Sequence, residues 1–232
     1  MAVLAEERAR PTIVESVPAA DPAAPLGLAA FALTTFMLSG HNATFIPDIA
    51  WLGLAFFYGG LAQMLAGMWE FRNRNVFGAT AFSTYGGFWM ALGLFVTLVL
   101  VSKTAAAAVA GPQLLNGLAW FLLAFAIFNL YMLFGSTRVN VAIFGVFLTL
   151  QITEVLLCIG FFREAHGMSP WITHAGGWAG IVTAAVAWYA SAAGVVNGMS
   201  PDRTILPVGS PMWGRPPALS RTDSLMPRGT EA

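Results

Sequence analysis

Within the apolar stretches of this sequence, few side chains can do acid–base, metal or nucleophilic chemistry: His41, His166, His174, Cys158, Glu70 and Glu154. The three histidines fall in separate segments, without the converging ligands a metal site needs. No Gly-x-Ser-x-Gly elbow and no phosphate-cradling glycine loop accompanies them. Cys158 is the single cysteine, lies in an apolar run and reads as a packing residue. The chain is therefore read as a non-enzyme with no metal and no cofactor. Glu70 and Glu154 are the acids at or inside an apolar stretch, where burying a charge is expensive and ionisable groups are functional candidates by default. Glu70, close to Arg72 and Arg74, is expected to be a solvated acid at a membrane interface. Glu154 lies deeper: it either marks a proton or solute path or faces a partner such as Asn140, Gln151 or Thr153.

Uncharged polar residues are more numerous. Thr34, Thr35, Gln63, Thr80, Ser83, Thr84, Tyr85, Asn129 and Thr149 each suit a hydrogen bond to a neighbouring helix. Together, with no Lys or Arg among them, they fit a narrow polar path whose solute is met by dipoles rather than fixed cations. The run Pro22-Ala23-Ala24-Pro25-Leu26-Gly27-Leu28 puts proline where a helix begins; on these residues alone it reads first as a plain helix start, and second as a partial positive end whose free amides would suit a carboxylate.

Elements that would position these residues follow from composition. Of 232 residues, 57% are hydrophobic and 9% charged, and the 11 basic and 11 acidic residues cancel. A soluble domain carries about 25% charged residues, so this chain belongs in a bilayer, and without a basic face it does not bind nucleic acid. Stretches of about twenty apolar residues, enough to cross the hydrocarbon core, occur near 26–46, 49–69, 79–101, 113–134, 139–162 and 171–196. Nine arginines against Lys103 and Arg163 segregate to one side if the N-terminus is inside. The expected fold is all-α and multi-pass, with six transmembrane helices per protomer and both termini cytoplasmic. Its divisions are a flexible N-terminal tail over 1–22, a transmembrane domain over 23–198 and a flexible C-terminal tail over 199–232.

Several runs carry a more specific signal: Ala24-Pro25-Leu26-Gly27-Leu28 with Phe31; His41-Asn42; Phe57-Tyr58-Gly59-Gly60-Leu61-Ala62-Gln63; and Asn75-Val76-Phe77-Gly78-Ala79-Thr80-Ala81-Phe82 leading to Tyr85-Gly86-Gly87-Phe88-Trp89. With His174, Gly177-Trp178 and Thr204-Ile205-Leu206-Pro207-Val208-Gly209, they resemble the acetate uptake transporter family of bacterial acetate/succinate permeases and fungal ammonia- and acetate-linked relatives. The sequence departs from that pattern at the first signature, where the family's Asn-Pro pair is either replaced by Pro22-Ala23 or displaced by one inserted Ala with Asp21 standing for the Asn, and at Asn129 and Glu154.

The resemblance implies a plasma (inner) membrane homohexamer in which each protomer carries its own pore for acetate and related small carboxylates, succinate included. It also implies an apolar constriction of a Phe, a Tyr and a Leu. By motif position these are Phe31, Tyr85 and, reading a length change after Arg138, Leu148. Thr34, Asn42, Gln63 and Thr84 are the polar pathway candidates, and Pro25, Leu26, Gly27 and Leu28 form the helix-start motif. Two other readings remain: a membrane sensor responding to acetate through its tails, and a channel for ammonia or another small neutral solute.

Overall fold

The computed structural model describes residues 22–47, 49–200 and 202–213. Six helices are long and apolar enough to cross a membrane: α1 Ala24–Asn42, α2 Leu52–Arg72, α3 Val76–Val101, α4 Pro112–Ser136, α5 Val141–Ala165 and α6 Trp171–Gly198. A short helix, Lys103–Ala108, joins α3 to α4 and is capped by Ser102, whose hydroxyl accepts from the Ala105 amide at 3.2 Å. The expected spans are all present. The largest shift is at the end of α1, which stops at Asn42 because Thr44 turns left-handed at φ 71° and the Phe45 and Ile46 amides fold back onto the Gly40 carbonyl.

Local chemistry explains the starts. Proline sits in the first turn of α1 and of α4, where its missing N–H costs nothing. Asn75 caps α3 by accepting from the Gly78 amide at 3.1 Å, and Asn140 caps α5 by accepting from Ile143 at 2.9 Å. In the middle of α2, Phe57–Ala62 widens into a π-helical segment. There Gly59 lies so close to α1 that a Cβ would sit 2.6 Å from the Thr34 hydroxyl. The absence of a side chain lets the two backbones meet.

Helix α1 packs along α6, α6 along α5, and α5 along α4, while α2 lies on α3 and leans on α1. Among the described residues, α5 makes no close backbone approach to α1 or α3, and α3 touches α4 only lightly. Side chains span that gap, as in the Phe77–Phe147 edge contact at 5.2 Å. An even number of crossings places the start of α1 and the end of α6 at one end of the bundle, termed here the terminal face.

Residues 202–213, expected to belong to a loose tail, pack back on this face. The Ala142 amide donates to the Val208 carbonyl, Met212 to Thr137, and the Asn197 side chain bonds Ile205 and Leu206. Tyr189 also donates to the Pro207 carbonyl. The tail expected over 1–22, apart from Pro22, and the part beyond 213 lie outside the described residues.

Candidate functional site

Helices α1, α3 and α5 each contribute residues one turn apart to two cavities. The cavity at the terminal face, about 260 Å³, is lined by Pro25 and Leu28 of α1, Ala81 and Phe82 of α3, Phe147 of α5 and Ala190 of α6. The cavity opening at the opposite face, about 440 Å³, is lined by Phe31 and Asn42 of α1, Tyr85 and Trp89 of α3, Leu150 and Glu154 of α5, and His174 of α6. Leu28 and Phe31, Phe82 and Tyr85, and Phe147 and Leu150 are each three residues apart, about 4.5 Å along a helix axis. On these three helices the two cavities come within one turn of each other at the level of Phe31, Tyr85 and Leu150, all of them buried.

Phe31 meets Tyr85 edge-on with ring centroids 5.7 Å apart. The Tyr85 ring also contacts Phe88 at 6.1 Å, Phe125 at 6.2 Å and Phe128 at 5.5 Å, so aromatic neighbours fix it on several sides. Its polar end joins a buried network. The Tyr85 hydroxyl lies 3.0 Å from Asn129 Oδ1 and 3.2 Å from Glu154 Oε1. The Asn129 amide donates to the Phe147 carbonyl and to Gln151 Oε1, both at 2.9 Å. Glu154 Oε2, Thr35 Oγ1 and Trp89 Nε1 are buried without a hydrogen-bond partner, and all three residues line the larger cavity.

The sequence-derived candidates divide. Phe31, Tyr85 and Asn42 line the larger cavity, and Pro25 and Leu28 the smaller. Gly27 is buried against the Phe82 ring and Leu26 is exposed. Thr34 is fully buried but bonds the Ala30 carbonyl of its own helix at 2.9 Å. Gln63 is buried, and Thr84 half-buried; neither these two nor Thr34 lines either cavity.

Leu148 is a correction. It is 39% exposed and lines neither cavity, whereas the α5 leucines that line the larger cavity are Leu150, one turn from Phe147, and Leu157 nearer the mouth. A two-residue shift turns a helical side chain by about 200°, so an inward Leu150 requires an outward Leu148. The burial rhythm of Phe147, Leu150, Glu154 and Leu157 is the signal that finds it.

Two readings of the start of α1 change as well. Glu70 is 2% exposed rather than solvated. Its carboxylate accepts from the Ala23 amide at 2.7 Å and from Asn75 Nδ2 at 2.6 Å. The helix start that looked suited to a solute carboxylate holds one from the protein itself. Asp21 lies outside the described residues. At the opposite mouth, Glu164 accepts from the Thr173 hydroxyl beside His174. Among the described residues no group of three His, Cys, Asp or Glu side chains is placed to hold a metal.

The chain is 42% identical over 216 residues to acetate permease A of Emericella nidulans, covering 88% of this chain and 72% of that one. It is 36% identical to the succinate-acetate/proton symporter SatP of Escherichia coli K12, covering 80% of this chain and 94% of the relative. The solved structure of the bacterial acetate channel SatP superposes with a TM-score of 0.73 at 35% identity, covering 82% of this chain and 99% of that one. The model of the GPR1/FUN34/yaaH family matches residues 8–207, nearly the whole multi-pass bundle, and the chain belongs to that family.

Proposed function

We propose that this protein is a membrane channel or transporter for acetate and related small carboxylates, succinate included, which pass within each protomer through the layer formed by Phe31, Tyr85 and Leu150. The observation that carries this reading is the pair of cavities at opposite faces, which come within one helical turn of each other at that layer on α1, α3 and α5. A thin apolar ring resists water and inorganic ions by dewetting, whereas a small monocarboxylate brings a methyl group that tolerates it. The unpartnered Trp89 and Thr35 donors above the ring suit a carboxylate, and a buried Arg would hold the anion too well for fast exit. The names of the relatives support the substrate class, and this role is transport rather than catalysis.

The terminal face is cytoplasmic in this reading, because Arg72, Arg74, Arg138 and Arg203 sit at that end and Lys103 and Arg163 at the other. The membrane is the plasma membrane and the assembly a homohexamer, as the family resemblance implies. Labelled acetate uptake into proteoliposomes tests the function. Saturable uptake changed by both Phe31→Ala and Tyr85→Ala is expected, and its dependence on an imposed proton gradient separates a symporter from a channel. No uptake above empty liposomes by folded protein overturns it. Uptake of ammonia that acetate does not compete with would favour the neutral-solute reading.

A further inference from the structure

The network behind the constriction has more acceptors than hydrogens. Asn129 spends its amide hydrogens on the Phe147 carbonyl and Gln151 Oε1, so its Oδ1 can only accept, and the Tyr85 hydroxyl 3.0 Å away is the donor that meets it. That hydroxyl has a single hydrogen, yet Glu154 Oε1 lies 3.2 Å from the same oxygen. All contacts are satisfied together when Glu154 carries a proton and donates it to the Tyr85 oxygen, while Tyr85 donates to Asn129. An ionised Glu154 instead competes with Asn129 for the one hydrogen, and its second oxygen, Oε2, stays buried and unpartnered beside the cavity. A buried carboxylate in that position lacks the compensation burial demands.

We propose that Glu154 is a proton-binding gate residue that determines when an anion can enter the Phe31–Tyr85–Leu150 layer. Neutral, it holds Tyr85 on Asn129 and presents no charge to the solute. On losing its proton to water in the larger cavity, it takes the Tyr85 hydrogen from Asn129 and sets a full negative charge against the entering carboxylate. Passage therefore falls as pH rises. This deepens the transport reading and rests on it.

Other titratable groups are placed less well for this role. On α3 the group facing Glu154 is Tyr85 itself, and on α4 Tyr131 is exposed. On α5, Cys158 lies one turn further on, and Arg163 and Glu164 are nine and ten residues away, roughly 15 Å along the axis. His174 of α6 and His41 of α1 line the cavity at the mouth, whereas α6 faces Glu154's own turn with Thr183, bonded to Thr153 at 3.0 Å.

The test is labelled acetate exchange in proteoliposomes at equal internal and external pH, from pH 6 to pH 8, where acetate is almost wholly ionised. The unaltered protein is expected to slow with rising pH by up to about tenfold per unit, the limit for one proton. Glu154→Gln, whose amide can donate to Tyr85, should keep the acid-limit rate throughout, and Glu154→Asp should restore a slope. A slope that survives in Glu154→Gln, or that disappears in Glu164→Gln instead, overturns the proposal. So does a flat profile in the unaltered protein. No exchange at any pH is a different failure, that of the transport reading itself. Infrared difference spectra of the folded protein, taken across the same pH range, should show a protonated-carboxyl band that is missing in Glu154→Gln. Its presence in both overturns the assignment without reference to transport.

Discussion

Tyr85 does two jobs with one side chain: its ring packs edge-on against Phe31, and its hydroxyl anchors the polar network behind it. The two can be separated. Tyr85→Phe keeps the ring but leaves Asn129 Oδ1 without a donor, a cost of about 1–3 kcal/mol, expected as a lower melting temperature in detergent. Tyr85→Ala should cost about 3–5 kcal/mol, because it also opens a cavity in the aromatic cluster. The two leucines give a sharper comparison. Leu150→Ala should change acetate flux, whereas Leu148→Ala, on the outer face, should leave it unchanged. Equal effects on flux would show that facing the cavity does not decide which leucine matters.

At the scale of the element, the start of α1 and the middle of α2 carry the most structural information. Glu70 ties α2 to the first turn of α1 and to the cap of α3 through Asn75. Glu70→Ala should therefore destabilise the protein by about 1–3 kcal/mol, since the partly buried Ala23 amide loses its acceptor, and a thermal scan in detergent measures it. Ser191 reinforces the same helix start, donating to the Pro25 carbonyl at 2.7 Å from α6. Gly59→Val should push α2 off α1, because its side chain would meet Thr34, at a cost of about 1–3 kcal/mol for overpacking. The π-helical segment around Gly59 is the form of local irregularity often found at functional sites. Here it brings a glycine face against the helix that carries Phe31.

For the whole molecule, the central feature is that the two cavities lie in a gap between helices rather than along any one of them. Removing a ring from the barrier layer should relax size selection, so Phe31→Ala is expected to raise succinate flux relative to acetate several-fold in a two-label uptake assay. An unchanged ratio would place the selective step elsewhere. If each protomer holds its own pore, mixing unaltered and Phe31→Ala protomers in one oligomer should give fluxes in proportion to the mixture.

The sequence by itself determined the bilayer, the number of spans, the turns between them and the family, because apolar run length, breaker residues and arginine placement act locally along the chain. It also brought Phe31 and Tyr85 forward, since they sit in dense motifs. It put Leu148 at the cavity where the structure puts Leu150, because helical phase depends on which face the neighbouring helices cover, and α5 is apolar nearly all round. It read Glu70 as a solvated acid, because the partners that bury it are 47 residues away at Ala23 and on the next helix at Asn75. It left Glu154 open between a path residue and a buried partner. Only the tertiary packing brought Glu154 to Tyr85 and Asn129, and hydrogen bonding across three helices is set by distance in space, which spacing along the chain does not encode.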